Sequence, residues 1–261
     1  MQTNDKRHLL ILTCTVRPQV KSNLVRSNME QRLLDYITSL ANLQKFSRGI
    51  KIDFLVVENS NSVELIHLGL KEIGVKLDHF TFFSCEQDSL SAISGISAGE
   101  HGMLREVAAL FPLINYDVIW KLTGRLSIEN LGKLISKSTG EFRANRFFSQ
   151  HHTFDSRFFG MTTNVFKEFA LNPPKYSENT QGLDDVHTGD VFRAIEFYLS
   201  FYALRLESKG LIVRRLPGIP LYRGISASTG KSLDGLSTRL KVKVLNKFRR
   251  FFIKGLLGVG P

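Results

Sequence analysis

Lys121 and Arg125 bracket a Thr-Gly pair in the stretch Tyr116 to Ser127, which reads Tyr-Asp-Val-Ile-Trp-Lys-Leu-Thr-Gly-Arg-Leu-Ser. Two cations, the Thr123 hydroxyl and a glycine at 124 that lets a ligand approach the backbone are the groups that hold a diphosphate. A single Lys or Arg at such a place is usually just a solvated charge. Here both follow an apolar run, Val118, Ile119 and Trp120, that reads as a buried central strand ending at Thr123-Gly124. Open α/β sheets place their ligands at the carboxyl ends of such strands. Ser127 is expected to cap a helix over 128–138, whose N-terminus would add a favourable field for an anion.

The elements that must position this stretch are legible on either side of it. His8 to Thr15 is too uniformly apolar for a half-exposed strand, so a central parallel strand is expected. Thr13 and Thr15 lie at its end, and Arg17 follows in a polar loop. Helical spacing from Asn28 to Phe46, closing near Gly49, leads to a second strand, Ile50 to Val57, and so to a βαβ start. That strand finishes in Glu58-Asn59-Ser60. These residues could hold a ribose or base, or cap the next helix, Val63 to Ile73; both readings stand. A third strand, His79 to Cys85, enters a Ser/Gly-rich run read as a loop until a helix at Met103 to Phe111. Gly95, Gly99 and Gly102 do not have dinucleotide-fingerprint spacing, but the loop could approach a ligand, with Gly99, Glu100 and His101 near its end.

Beyond the central strand, Arg143 to Ser149 and Phe158 to Thr162 read as shorter strands, followed by a helix at Asn164 to Phe169. The run Asn172 to Gly182 has the length and composition of a lid. Asp184, Asp185 and Asp190 precede a helix over Val191 to Leu206 whose apolar stripe is core. Glu196, between Ile195 and Phe197, is either partly buried and perturbed or on the solvent side. Strand pieces at 211–216 and 219–222 lead to a loop of glycines and hydroxyls, Gly224 to Lys231.

At 261 residues and 43% hydrophobic, the chain can bury a substantial core. Its division is read as 1–235, an α/β domain, and 236–261, a basic amphipathic membrane-associating segment. Cys14 and Cys85 sit in apolar runs, which suits reduced thiols rather than a disulfide or metal site. The polar N-terminus carries no signal-peptide pattern, and no apolar run is long enough to span a bilayer, so a cytoplasmic, soluble or peripheral protein is expected. Seven cations and no acid lie between Arg239 and Lys254; setting them aside takes the net charge from +11 to +4. With Leu240, Val244, Phe248 and Phe251 near one helical face, that tail reads as an anchor for an anionic membrane surface, in preference to nucleic acid.

The order of these parts resembles a GT-A-type glycosyltransferase of bacterial capsule and lipopolysaccharide assembly, over roughly residues 8 to 232. Glu58-Asn59-Ser60 matches that fold's Asp/Glu-Asn-x-Ser at the second strand's end. Where the fold usually carries Asp-x-Asp, this chain has Lys121-Leu-Thr-Gly-Arg125, similar to a bacterial subset with Lys-x-(Thr/Ser)-Gly-Arg-Tyr, with Leu126 in place of the tyrosine. Gly224-Ile-Ser-Ala-Ser-Thr-Gly230 resembles the subset's Gly-x-Ser-Gly-Ser-x-Gly loop, with Ala227 replacing a glycine.

The resemblance implies an open, mostly parallel sheet flanked by helices, a nucleotide-sugar donor and a glycan acceptor, lipid-linked in such pathways. Donor contacts would fall on Thr13, Thr15, Arg17, Glu58, Asn59, Ser60, Gly99, Glu100, Lys121, Thr123, Gly124, Arg125, Ser226, Ser228 and Thr229. Without Asp-x-Asp, Lys121 and Arg125 would stabilise the leaving diphosphate in place of a metal ion, and no cofactor is implied. Asp184, Asp185 and Asp190 keep Mg²⁺ or Mn²⁺ open. An inverting transfer needs a general base, which such enzymes carry at the start of a late helix. Glu196 is the first candidate, Asp190 the second and Asp185 the third. The rival reading is an α/β binding protein for an anionic glycan or nucleic acid, without turnover.

Overall fold

The structure, a computed structural model, describes residues 6–19, 27–85, 96–146, 154–172, 194–225 and 232–233. The chain begins with β1 (His8–Cys14), α1 (Met29–Phe46), β2 (Ile52–Glu58), α2 (Val63–Glu72) and β3 (Phe80–Ser84). It continues through α3 (Ile96–Leu110), a 3₁₀ turn (Leu113–Asn115), β4 (Val118–Thr123), β5 (Leu126–Ile128) and α4 (Leu131–Ser136). Then follow β6 (Phe142–Arg146), β7 (Phe154–Thr162), α5 (Thr163–Leu171), α6 (Ala194–Ser208), β8 (Val213–Arg214) and β9 (Tyr222–Gly224).

Seven of these strands form one sheet in the order β3-β2-β1-β4-β7-β6-β8. β3, β2, β1 and β4 run parallel, β7 is antiparallel to β4 and β6, and β8 is parallel to β6. β5 and β9 form a separate antiparallel ribbon. The fold is thus α/β, a mostly parallel open sheet flanked by helices, as the apolar runs of β1 and β4 predict.

Those runs are unbroken because alternate side chains enter two different cores. Leu9, Ile11, Leu55, Val57 and Ile119 pack with Leu104 and Val107 of α3, Phe166 and Phe169 of α5, and Leu199 and Tyr202 of α6. Leu10, Leu12, Phe54, Val56, Trp120 and Leu122 pack on the other face with Tyr36, Leu40 and Leu43 of α1, Ile66 and Leu70 of α2, and Leu131 and Leu134 of α4. At roughly 1.5–3 kcal/mol per buried aliphatic side chain, this two-sided burial dominates the fold's stabilisation. Cys14 and Cys85 are buried free thiols. Among the described residues, no helix is long and apolar enough to cross a membrane.

Two expectations change. Helix α3 begins at Ile96, so Gly99, Glu100 and His101 lie within a helix rather than a loop. Tertiary packing overrides the Ser/Gly composition there, with Ala98, Met103 and Leu104 buried. Ser127 caps no helix, because Leu126-Ser127-Ile128 pairs with β9 as a strand. The helix that follows has only six residues and starts after Asn130, so the expected helix field at the end of β4 is absent.

Gly160 faces Trp120 across the β4–β7 pair. A Cβ there would lie 2.5 Å from the indole Cε3. The ring is itself fixed by stacking on Phe158 at 5.2 Å between centroids. Gly160→Ala should therefore lower the unfolding free energy by about 1–3 kcal/mol in urea titrations. A change below about 0.5 kcal/mol, the size of an ordinary surface substitution, would show that the indole can move aside.

Candidate functional site

The loops after β1, β2 and β4 meet at the carboxyl end of the sheet, and one buried carboxylate ties the first two together. Glu58 has no solvent exposure. Its Oε1 accepts from the Val16 amide (3.1 Å) and the Ser60 hydroxyl, and its Oε2 from the amides of Ser60 (2.9 Å) and Ser62 (2.7 Å). A carboxylate has about four acceptor positions, and all are taken. The Thr15 hydroxyl donates to Asn59 Oδ1 at 2.6 Å, and the Arg17 amide to the Ser60 hydroxyl at 2.9 Å. Glu58 therefore acts on the loops and on the start of α2, while Asn59 and Ser60 are set beside Thr15 and Arg17.

Gly124 closes the junction with β4. Its amide donates to the Thr13 carbonyl at 3.0 Å, and an added Cβ would lie 2.5 Å from the Cys14 sulfur. The close approach that requires glycine is to the end of β1, not to open space for a ligand.

Lys121 and Arg125 turn to opposite faces of the sheet. Arg125 lies against α1. Burial lowers its pKa, a like charge at Arg32 adds to this, and Tyr36 and Asp35 oppose it. Its Nε and Nη1 are buried and find no hydrogen-bond partner in the protein. Arg32 and Tyr36 hold the loop after β1 beside it. Arg32 Nε donates to the Thr15 carbonyl at 2.7 Å, and the Thr15 amide donates to the Tyr36 hydroxyl at 2.9 Å.

Lys121, 1% exposed, lies on the other face. Its Nζ reaches Glu100 Oε1 of α3 at 2.6 Å, the Ser156 carbonyl of β7 at 2.8 Å and the Thr123 hydroxyl at 3.2 Å. An ammonium has three donors, so none remains for a phosphate in this arrangement. Glu100 Oε1 also accepts from the Thr13 hydroxyl at 2.8 Å. Geometrical period explains the separation of the two cations. Lys121 follows the alternation of β4, whereas Arg125 comes after the Gly124 turn and belongs to the approach of β5 to α1.

Glu196, in the first turn of α6, completes the Lys121 side. The Ser156 hydroxyl donates to its Oε1, and its Oε2 is buried without a hydrogen-bond partner. Burial raises its pKa from 4.5 to about 7; the Ser156 hydroxyl, its own backbone amide and Lys121 pull it down, and Glu100 pushes it up. His101, also on α3, packs its ring against Phe169 and Tyr198, and burial lowers its pKa to about 4. It is a core histidine.

Of the sequence-derived candidates, the structure gathers Thr15, Arg17, Asn59 and Ser60 in the loops. It gathers Thr13, Glu100, Lys121, Thr123 and Glu196 on the α3/α6 face, while Gly99 is buried inside α3. Asp184, Asp185, Asp190, Ser226, Ser228, Thr229, residues 173–182 of the expected lid and the tail 234–261 lie outside the described residues. Among the described residues, no group of three His, Cys, Asp or Glu side chains is placed to hold a metal ion.

Sequence reading missed Arg32, Tyr36 and Ser156. Arg32 belongs to no motif, and Tyr36 falls in the apolar stripe of α1. Ser156 lies in Phe154-Asp-Ser-Arg-Phe158, and a polar triplet inside an aromatic run is the trace of a β-bulge that was available to be read.

The sequence matches no protein-family model and no curated protein. Solved structures similar to this chain include the galactosyltransferase LgtC in complex with donor and acceptor sugar analogs, with TM-score 0.49, 9% identity and coverage of 72% of this chain and 70% of that one. The inositol-1-phosphate CTP transferase from T. maritima gives TM-score 0.48, 13% identity and coverage of 92% and 95%. The glycosyltransferase GlyE in Streptococcus pneumoniae TIGR4 gives 0.43, 9%, and coverage of 73% and 44%. The likeness is one of backbone arrangement and assigns no residue a role.

The Glu196 carboxyl makes a pH signature of its own. Its folded pKa, about 7, lies above the ordinary 4.5, so its contribution to stability is complete below about 4.5 and is lost as pH rises through 7. His8 and His101, lowered from 6.5 to about 4 by burial, act in the opposite sense, losing stability as pH falls from 6.5 toward 4. The difference in unfolding free energy between the wild type and Glu196→Gln isolates the carboxyl. Wild type should lose stability relative to the variant between pH 4.5 and 7; a difference that stays flat over that window would contradict the raised pKa.

Proposed function

We propose that the chain is a glycosyltransferase of the GT-A type, moving a sugar from a nucleotide-sugar donor to a glycan acceptor. The observation that carries this reading is Glu196: a half-buried carboxyl with one oxygen anchored, the other without a partner, and a pKa near neutrality. That is the condition of a general base working near pH 7. In an inverting transfer, Oε2 takes the proton of the acceptor hydroxyl as its oxygen bonds to the anomeric carbon. The bond from that carbon to the phosphate oxygen breaks, and the nucleoside diphosphate leaves.

The leaving charge is assigned to Arg125, a buried guanidinium beside the loop after β1, with Thr15, Asn59 and Ser60 as the candidates for the nucleoside. Lys121 contributes as a fixed charge beneath the site rather than as a direct phosphate ligand. We take the transfer to be metal-independent on this basis, and the acceptor to be lipid-linked surface glycan, such as capsule or lipopolysaccharide. Arg239 to Lys254 would hold the protein on the inner face of the cell membrane.

A thermal-shift panel of UDP, GDP, CMP, dTDP and their sugars, with Mn²⁺ and with EDTA, tests the donor site. A ligand at 100-fold its Kd adds about 2.7 kcal/mol of stability. One nucleotide should stabilise the wild type equally in both buffers and leave Arg125→Ala unmoved. Turnover of the corresponding sugar donor should fall roughly 10²–10⁴-fold in Glu196→Gln. If no nucleotide stabilises the wild type, the donor site is wrong and an anionic-glycan or nucleic-acid binding protein takes its place. Stabilisation only with Mn²⁺ would overturn metal independence alone.

A further inference from the structure

Strand β7 is irregular where it passes the site. Ala144 of β6 pairs with Phe159 and Arg146 with Phe154, so two steps along β6 correspond to five along β7. The ladder to β4 ends at Leu122 and Phe158. Asp155, Ser156 and Arg157 therefore form a bulge free of both neighbouring ladders, a device that re-aims side chains.

The bulge is locked by its own residues. Asp155 Oδ1 accepts from the Arg157 amide at 3.0 Å and from its Nε at 2.8 Å, and Oδ2 accepts from Arg157 Nη2 and the Tyr222 hydroxyl, each at 2.9 Å. The Arg157 guanidinium lies 4.5 Å from the centroid of the Tyr222 ring. Ser156, held between them and 7% exposed, works in two directions: its carbonyl accepts from Lys121 and its hydroxyl donates to Glu196.

We propose that Ser156 is the positioning residue of the site: it fixes Oε1 of Glu196, leaves Oε2 as the proton-accepting edge, and links that carboxylate to Lys121 through its own carbonyl. This rests on the reading of Glu196 as the base. The bulge has a chemical purpose in this view, because a regular strand would commit the Ser156 carbonyl to a ladder. The charged groups acting on the Glu196 carboxyl are Glu100 from α3, Lys121 from β4 and Arg157 from β7. Ser156 is the neutral donor among them, and its bond favours the ionised carboxylate.

The test needs no substrate. Glutamate side-chain carboxyl carbons labelled with ¹³C are titrated by NMR, and the Glu196 signal is assigned by its loss in Glu196→Gln. In Ser156→Ala the Glu196 midpoint should rise by about 1, the equivalent of one hydrogen bond to a charged group. Ser156→Thr should return it to the wild-type value, since the hydroxyl is kept. Ser156→Cys, close in volume and a weak donor, should behave as Ala does, and serves if the Ala variant does not fold. A midpoint unchanged in Ala or Cys overturns the assignment, as does a shift in Thr as large as in Ala. Retained turnover in Glu196→Gln would refute the base while leaving this titration to be decided separately.

Discussion

A lysine ammonium with almost no solvent exposure stands in the central strand of a sheet whose neighbours are apolar on both faces, and the α3/α6 side of the site is arranged to keep that charge tolerable. Leaving a buried charge unpaired costs several kcal/mol, so each of the Lys121 donors must find an oxygen. Glu100 supplies the counter-charge from α3, Thr123 a hydroxyl from the strand itself, and Ser156 a carbonyl released by the β7 bulge. Three separate elements are thereby bound to one nitrogen. The same set of contacts places a second carboxylate, Glu196, where Glu100 and burial resist its ionisation and Lys121 favours it.

The sheet divides the labour. On the α1 face, Arg32, Tyr36 and the fully engaged Glu58 hold the strand-end loops in place, and Arg125 is buried with its Nε and Nη1 unpartnered. On the α3/α6 face lie the groups that can exchange a proton. Gly124 stitches the two together by letting the end of β4 press against Thr13 and Cys14. The buried guanidinium of Arg125 and the buried carboxyl of Glu196 thus lie on different sides of one strand.

The fold was legible to the extent that burial leaves a pattern. β1, β2 and β4 announced themselves as largely apolar runs, and α1 carried its apolar stripe. Short elements were not legible. Leu126-Ser-Ile is three residues whose strand state depends on Tyr222 to Gly224, almost a hundred positions away, and no local signal distinguishes it from a helix start. For the site, residue types were readable and directions were not. Lys121 and Arg125 are neighbours in sequence, and only the turn between them, which reverses the sense of the alternation, decides that they part. Glu196 was singled out by its apolar neighbours in sequence, and burial is what raises its pKa; Ser156 went unnoticed because its importance lies in a backbone irregularity.

The β5–β9 ribbon ties the middle of the chain to its late part. The Leu221 amide donates to Asn130 Oδ1 and the Glu129 amide to the Leu221 carbonyl, so the segment after β4 is held by residues some ninety positions later. Tyr222, in the same late strand, also grips Asp155 of the bulge. Closing such a loop costs entropy before any contact repays it, which makes these among the slower contacts to form. The parallel strands and their helices are joined by nearer contacts, whereas the bulge and the approach to Arg125 lean on this ribbon. The bulge and the approach to Arg125 thus rest on one long-range contact, whose loss would loosen both at once.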